Sequence, residues 1–241
     1  MYKNHPCNTL LDLWHALHNS YNSAENRLVN THFLNKIPQA DTIDWPIFSK
    51  QEFRNIIAKC LSLSFSGPDH IFWRYLKSLF SNDCYLEKLI NITDAYINLE
   101  HWLSHFKFAN TIIIPKPNKD LYSTPKSFCP IVLLNTISKL IEKVISNWFQ
   151  FHIVANSFLD PNQLGDIRQW STINVSIYLT HLIQAEWLKQ CYTSIIAFDI
   201  AQFFPFLNHS FLSLCLKKAG LDTSVMGFFS SYHLGRSIFY S

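Results

Sequence analysis

Ser194-Ile195-Ile196-Ala197-Phe198 is a short apolar run rich in strand-favouring side chains, and a carboxylate, Asp199, stands where it ends. A run this short and this apolar predicts a strand buried on both faces, which has to find neighbours in a sheet. A carboxylate at the mouth of such a strand is costly unless something pairs with it, and a divalent cation is one good partner. The same position is also ordinary turn or helix-cap chemistry, and the residues alone leave both readings open. Phe203, Phe204 and Pro205 then form a bulky corner, and Asn208 is placed to cap a helix over about 210–219 that Gly220 stops.

The rest of the chain is patterned mainly as helix. It holds only 5 Gly against 20 Phe, with 48% hydrophobic and 15% charged residues, which excludes disorder as its main state. Its 241 residues fit one large domain or two small ones. A net charge of +3 permits contact with nucleic acid without the basic stripe of a dedicated binder. The cysteines at 7, 60, 84, 129, 191 and 215 form no Cys-x-x-Cys pair and show no zinc-ligand spacing. His101 and His105, four apart, read as helix-surface residues. Scattered free thiols point to a reducing compartment, cytoplasm or nucleus. The polar start, Met1-Tyr2-Lys3-Asn4-His5, lacks the apolar core of a signal peptide, and no apolar run approaches the ~20 residues of a membrane span.

In chain order, Leu10, Leu11, Trp14, Leu17 and Tyr21 predict a helix over 9–21, and the polar, Pro-broken stretch 22–46 a linker. Ser49-Lys50-Gln51-Glu52 is a capping box opening a helix with Phe53, Ile56, Ile57 and Cys60 on its apolar stripe. Ser66-Gly67-Pro68-Asp69 is a tight turn before a helix that turns Trp73, Leu76, Leu79 and Phe80 inward. Residues 83–106 read as one long or broken helix with Leu86, Leu89, Ile90, Ala95, Leu99 and Trp102 in the core. Asn110 to Ile114 is a short buried strand running into a Pro-stiffened loop with Lys116, Lys119 and Lys126, a charge pattern suited either to phosphate or to plain solvation. Ile137, Leu140, Ile141, Val144, Ile145 and Trp148 make a strong amphipathic helix, with Lys139, Glu142 and Lys143 outside. Asp160-Pro161-Asn162-Gln163-Leu164-Gly165 is a turn whose glycine lets backbone approach a ligand closely. A helix over 172–188 follows, with Ile173, Ile177, Leu182 and Ala185 inward. Asp222-Thr223-Ser224 caps a last helix, ended by Gly235-Arg236.

Five of these motifs, taken in order, resemble the reverse transcriptases of non-LTR retrotransposons, particularly the fungal type. They are Gly67-Pro68-Asp69-x-Ile71; Ile114-Pro115-Lys116-Pro117-x-Lys119 with Phe128-Cys129-Pro130-Ile131-x-Leu133-Leu134-Asn135; the helix Lys139-Leu140-x-Glu142-Lys143-x-Ile145; Gln163-x-Gly165 with Ser171-Thr172; and Phe198-Asp199-Ile200-x-x-Phe203-Phe204-Pro205-x-x-Asn208-His209. The resemblance covers the chain from about residue 43 onward. It implies that Asp199 is catalytic and binds Mg2+, with the Ile200 backbone as a further ligand. It implies that Phe204 packs under the sugar of the incoming dNTP and that Lys116 faces its triphosphate. Lys119, Lys126, Gln163, Gly165 and Arg168 would then contact the RNA template and DNA primer, with Lys139 and Lys143 as further phosphate contacts.

The chain departs from the pattern at two places. Cys129 stands where the family has arginine and cannot supply a fixed fork of donors, which weakens the expected nucleotide site. Asp166 opposes a phosphate backbone, and Arg168 offsets it. The sequence has no Asp-Asp pair, whereas nucleotidyl transfer by two metals gathers several carboxylates. The second catalytic motif, the remaining palm strands and the thumb are expected beyond residue 241.

The expected fold class is α+β, mostly helical: an incomplete right-hand polymerase with fingers, the first palm strand and helices, and a small partial β-sheet. The expected divisions are an N-terminal helix and linker at 1–48, a helical region at 49–108, a fingers-like region at 109–188 and the start of a palm at 189–241. The function the resemblance implies is RNA-directed DNA synthesis, with this chain inactive alone. The alternatives are a non-catalytic nucleic-acid-binding remnant and a helical interaction domain in which Asp199 is a structural cap. An unpartnered strand at 194–198 also predicts self-association through an exposed palm surface, with Phe203 and Phe206 open to solvent.

Overall fold

Local sequence signals set most of the helix starts. The computed structural model describes residues 9, 11–12, 15–16, 32, 39–43, 47–122, 124–160, 162–167, 169–200, 203 and 207–240, without the side chains of Lys126 and residues 238–240. The fold is α+β and mostly helical, in two compact units: residues 1–145 with 202–241, and residues 146–201. Of the helix expected over 9–21, Leu11, Asp12, His15 and Ala16 are helical, and the rest lies outside the described residues.

In the first unit, Ser49 opens helix α1 (Lys50–Lys59) with a reciprocal capping box. Glu52 N donates to Ser49 Oγ at 3.2 Å, and Ser49 N donates to the Glu52 carboxylate at 2.8 Å. Helix α2 (Trp73–Leu79) buries Trp73 and Leu76, while Leu79, expected inward, is exposed. Helix α3 (Asp83–Asn98), capped by Asn82, buries Leu86, Leu89, Ile90 and Ile97. The helix expected to reach residue 106 stops here. Glu100 takes a left-handed φ of 53°, and the chain resumes as a short 3-10 turn, Ser104–Lys107. Leu99, expected in the core, is exposed at this break.

Strand β1 (Phe108–Pro115) is the middle of a three-stranded sheet. It pairs antiparallel with β2 (Phe128–Leu133), Ile112 opposite Ile131 and Ile114 opposite Cys129, and parallel with β3 (Ser237–Tyr240). Central position explains its apolar Ile112-Ile113-Ile114 run. Pro130 sits in β2, an edge strand, where a missing N–H is tolerated.

Helix α4 (Thr136–Ala155) buries Leu140, Ile141, Val144 and Ile145 as its stripe predicts. Its first turn is capped from a distant segment. Thr136 N donates to Asp69 Oδ2 at 2.6 Å, and the other Asp69 oxygen accepts from Ile71 N at 3.2 Å. Asn135, in the position a cap normally occupies, points its side chain away from the helix: Oδ1 accepts from Asp69 N at 3.1 Å and Nδ2 donates to His105 O at 3.1 Å. Gly67 makes this possible, since a Cβ there would lie 2.1 Å from Leu134 O. Gly67-Pro68-Asp69 and Leu134-Asn135-Thr136 thus form one latch.

Helix α6 (His209–Lys218) is capped by Asn208, whose Oδ1 accepts from Phe211 N at 2.9 Å, and α7 (Thr223–His233) by Asp222. Between them Gly220 adopts φ +84°, and residues 39–43 dock on this turn. Ala40 N donates to Lys218 O at 3.0 Å and Ile43 N to Gly220 O at 2.7 Å. The core centres on Trp102, fully buried, with the rings of Tyr96, Phe106, Phe228 and Tyr232 at 5.5–5.6 Å. Such pairs each add about 0.5–1.5 kcal/mol beyond area burial.

In the second unit, the C-terminal half of α4 is followed by a turn at residues 162–166 and by α5 (Thr172–Leu188), opened by a Ser171–Asn174 capping box. No residue of α5 is buried: Ile173, Ile177 and Leu182, expected inward, are exposed, and Ala185 is half-buried. The expectation read a stripe where the apolar side chains, with Val175, Tyr178, Leu179 and Trp187, run all round the helix. The strand expected over 194–198 does not form: these residues have no regular structure and no ladder partner, and Phe198 is 90% exposed. Strand character needs a ladder partner, and among the described strands none pairs with it.

Candidate functional site

The basic part of the site is the loop from β1 to β2, and it is ordered by its own hydrogen bonds. Lys116 N donates to Ser127 O at 2.8 Å, the Tyr122 hydroxyl donates to Lys116 O at 2.8 Å, and Ser127 Oγ donates to Leu121 O at 2.5 Å. Pro115 and Pro117 preset φ on both sides of Lys116, and Asn118 makes the corner at φ 57°. The loop backbone that carries Lys116 and Lys119 is therefore set at little conformational cost. Lys116 is half-buried and Lys119 exposed, and among the described residues neither is paired with a carboxylate. Cys129 is exposed on β2, opposite Ile114. The side chain of Lys126 lies outside the description.

The helix lysines do other work. Lys139 Nζ donates to Phe65 O at 3.1 Å, and burial lowers its pKa. Lys143 Nζ lies 3.4 Å from Cys60 Sγ and 5.4 Å from the centre of the Trp73 ring. Both ammonium groups thus have partners within the first unit.

Glu142, read from the periodicity as an outward residue, is largely buried against the end of α7. Its carboxylate lies 3.4 Å from Arg236 Nη2, with only 21% and 26% of the two side chains exposed. Burial raises the Glu142 pKa, and Arg236 opposes that rise. The guanidinium stacks over Tyr232 at 3.8 Å and donates through Nε to Tyr232 O at 2.9 Å. Burial, with Glu142 alongside, pushes the Tyr232 phenol well above its ordinary value. The only hint in the sequence was the Gly235-Arg236 pair, which fixes no partner.

In the second unit, the Gln163-x-Gly165 turn closes on itself, Gln163 Nε2 donating to Gly165 O at 3.2 Å. The nearest atom to a Cβ built on Gly165 would be that same Gln163 nitrogen at 3.6 Å, so the glycine backbone is open to solvent. Asp166 is exposed at φ 56°, and its carbonyl accepts from Gln150 Nε2 at 3.2 Å. Asp199 and Ile200 are exposed on the irregular stretch after α5. Within its unit and among the described residues, Asp199 has no hydrogen-bond or ion-pair partner, and Asn208 rather than Asp199 caps α6. Phe204, Arg168 and Phe206 lie outside the described residues, and Phe203 is 48% exposed.

Asp199 with the Ile200 carbonyl offers one carboxylate and one neutral oxygen. Among the described residues no three His, Cys, Asp or Glu side chains gather, so these residues do not by themselves make the several-carboxylate cradle of a two-metal centre. No helix among the described residues is long and apolar enough to cross a membrane.

No protein-family model matches the chain. Over 128 residues it is 31% identical to a protein of Drosophila melanogaster described as "Probable RNA-directed DNA polymerase from transposon BS". The matched stretch is 53% of this chain and 14% of that protein, so the chain is similar over about half its length to a small part of a transposon polymerase.

Proposed function

We propose that this chain is the fingers and opening palm segment of a non-LTR retrotransposon reverse transcriptase. The observation that carries the reading is the 31% identity to a transposon RNA-directed DNA polymerase. Two features of the site support it: the stiff loop with unpaired Lys116 and Lys119, suited to phosphate, and the exposed, unpaired Asp199. In this reading Lys116 meets the triphosphate of a dNTP and Phe204 its sugar. Lys119, Lys126, Gln163, Gly165 and Arg168 lie along template and primer, and Asp199 supplies one ligand of a Mg2+ site. A single carboxylate holds Mg2+ weakly, so the chain alone is inactive and its stability changes little with the ion.

Primer extension on the purified chain, with an Asp199→Ala control, tests this. The expected result is no extension above background; robust extension that depends on Asp199 overturns the inactivity. A second reading, a non-catalytic nucleic-acid-binding remnant, rests on the same unpaired lysines. Filter binding of single-stranded RNA at low and moderate salt separates the two readings from an inert helical domain. Both lysine-based readings expect retention that falls steeply with salt and weakens in Lys116→Ala/Lys119→Ala. No retention even at low salt removes both.

A further inference from the structure

α6 and α7 lie against each other, and at one end of their contact two imidazoles stack. His209, the first residue of α6, and His233, the last of α7, have ring centroids 4.4 Å apart and planes within 22°. Phe229 extends the stack on the His233 side at 6.3 Å, and Tyr232 meets His233 edge-on at 5.2 Å. His209 is exposed and His233 half-buried. This contact is thus held by two imidazoles, the side-chain type whose charge is set by pH.

We propose that the His209–His233 stack is a proton-operated clasp, holding the start of α6 to the end of α7 while the imidazoles are uncharged and parting when acid charges them.

The surroundings make the charged form costly. A proton on His233 has to leave water for the aromatic side of the stack. The charges that bear on it are His209 from α6 and Arg236 from the segment after α7, both cationic or able to become so. The other charged groups on the neighbouring elements are Asp83, Glu87, Lys88 and Asp94 on α3, Lys217 and Lys218 at the far end of α6, and Glu142 on α4, which is paired with Arg236; none is among the causes of its shift. The C-terminus of α7 favours a cation on His233, but burial and the two like charges outweigh it, and together they push its pKa down to about 4. The sign follows: the unfolded chain takes up the His233 proton near its ordinary value of about 6.5, before the folded chain does. The clasp is therefore fully effective above about pH 6.5 and is lost as the pH falls toward about 4.

Amide hydrogen exchange on the full chain at about pH 7 and about pH 4.5, corrected for intrinsic rates, tests the clasp, with His233→Leu as the variant that keeps apolar bulk and loses the proton site. The expected result is a roughly tenfold fall in protection of α6 and the end of α7 in the unmodified chain, with α1 and α3 unchanged, and no such fall in His233→Leu. Equal loss in both proteins, or no loss in the unmodified one, overturns the proposal. Should His233→Leu fail to fold, titration of the two imidazole resonances in the unmodified chain decides. A His233 midpoint well below that of a free histidine, with a shift of the His209 resonance at the same pH, supports the clasp; two independent ordinary titrations refute it.

Discussion

Replacing Asp69 by alanine removes the acceptor that closes the first turn of α4. Two bonds go at once: Thr136 N to Oδ2 at 2.6 Å and Ile71 N to Oδ1 at 3.2 Å. Loss of an N-cap costs about 1 kcal/mol and up to about 2. The second bond adds about 1 kcal/mol. The expected destabilisation is therefore about 2–3 kcal/mol, a fall in Tm of about 5–10 °C for a chain of this size. Asp69→Asn keeps one oxygen in place and is expected to lose about half as much. Urea unfolding followed by circular dichroism reads the difference as a shift in midpoint at unchanged slope. A loss below about 0.5 kcal/mol in Asp69→Ala, or a larger loss in Asp69→Asn than in Asp69→Ala, refutes the latch as a cap.

Arg236→Met strands a largely buried carboxylate and is expected to cost about 1–3 kcal/mol, below the full buried-pair value because both side chains keep some solvent contact. Adding Glu142→Gln is expected to recover most of that loss, which a double-mutant cycle measures. Gly220→Ala places a Cβ 2.0 Å from Asp41 O at φ +84°, so it is expected to cost at least about 2 kcal/mol and to expose 39–43 to limited proteolysis. The Ser224 hydroxyl, foremost among its hydrogen-bond donors, holds Asp222 below its ordinary value. Its contribution to the cap of α7 is therefore complete above about pH 4 and lost on further acidification, whereas Asp222→Asn shows a flatter acid limb in a pH series of thermal melts.

What the sequence makes legible here is what neighbours in the chain decide among themselves. Ser49, Asn208 and Asp222 cap the helices they precede because the donor they satisfy lies two or three residues ahead. The apolar stripe of α4 and the presence of a strand over 110–114 are read correctly from local pattern, although that strand, expected buried, leaves Ile112 and Ile113 half-buried and Ile114 exposed. The errors fall where a distant segment arbitrates. Glu142 looks outward until Arg236 arrives from the far end of the chain, and Lys139 until Phe65 O accepts from it. Gly67-Pro68-Asp69 reads as a plain turn, since nothing within it reveals that it seats Leu134-Asn135-Thr136. The 194–198 run has the composition of a strand, but composition cannot supply a ladder partner. For the candidate site, sequence supplied the residue types and the stiffness of the lysine loop, and the unpaired state of Asp199 came only with coordinates.

β1 acquires its two neighbours at very different times. β2 follows it within a short loop, whereas β3 comes only after the helices from α4 to α7 have been made. Until residues 237–240 emerge, one flank of β1 keeps its amide and carbonyl groups without a ladder. Closing so long a contour is slow, so a nascent chain stalled before that point offers a template edge to any other extended peptide.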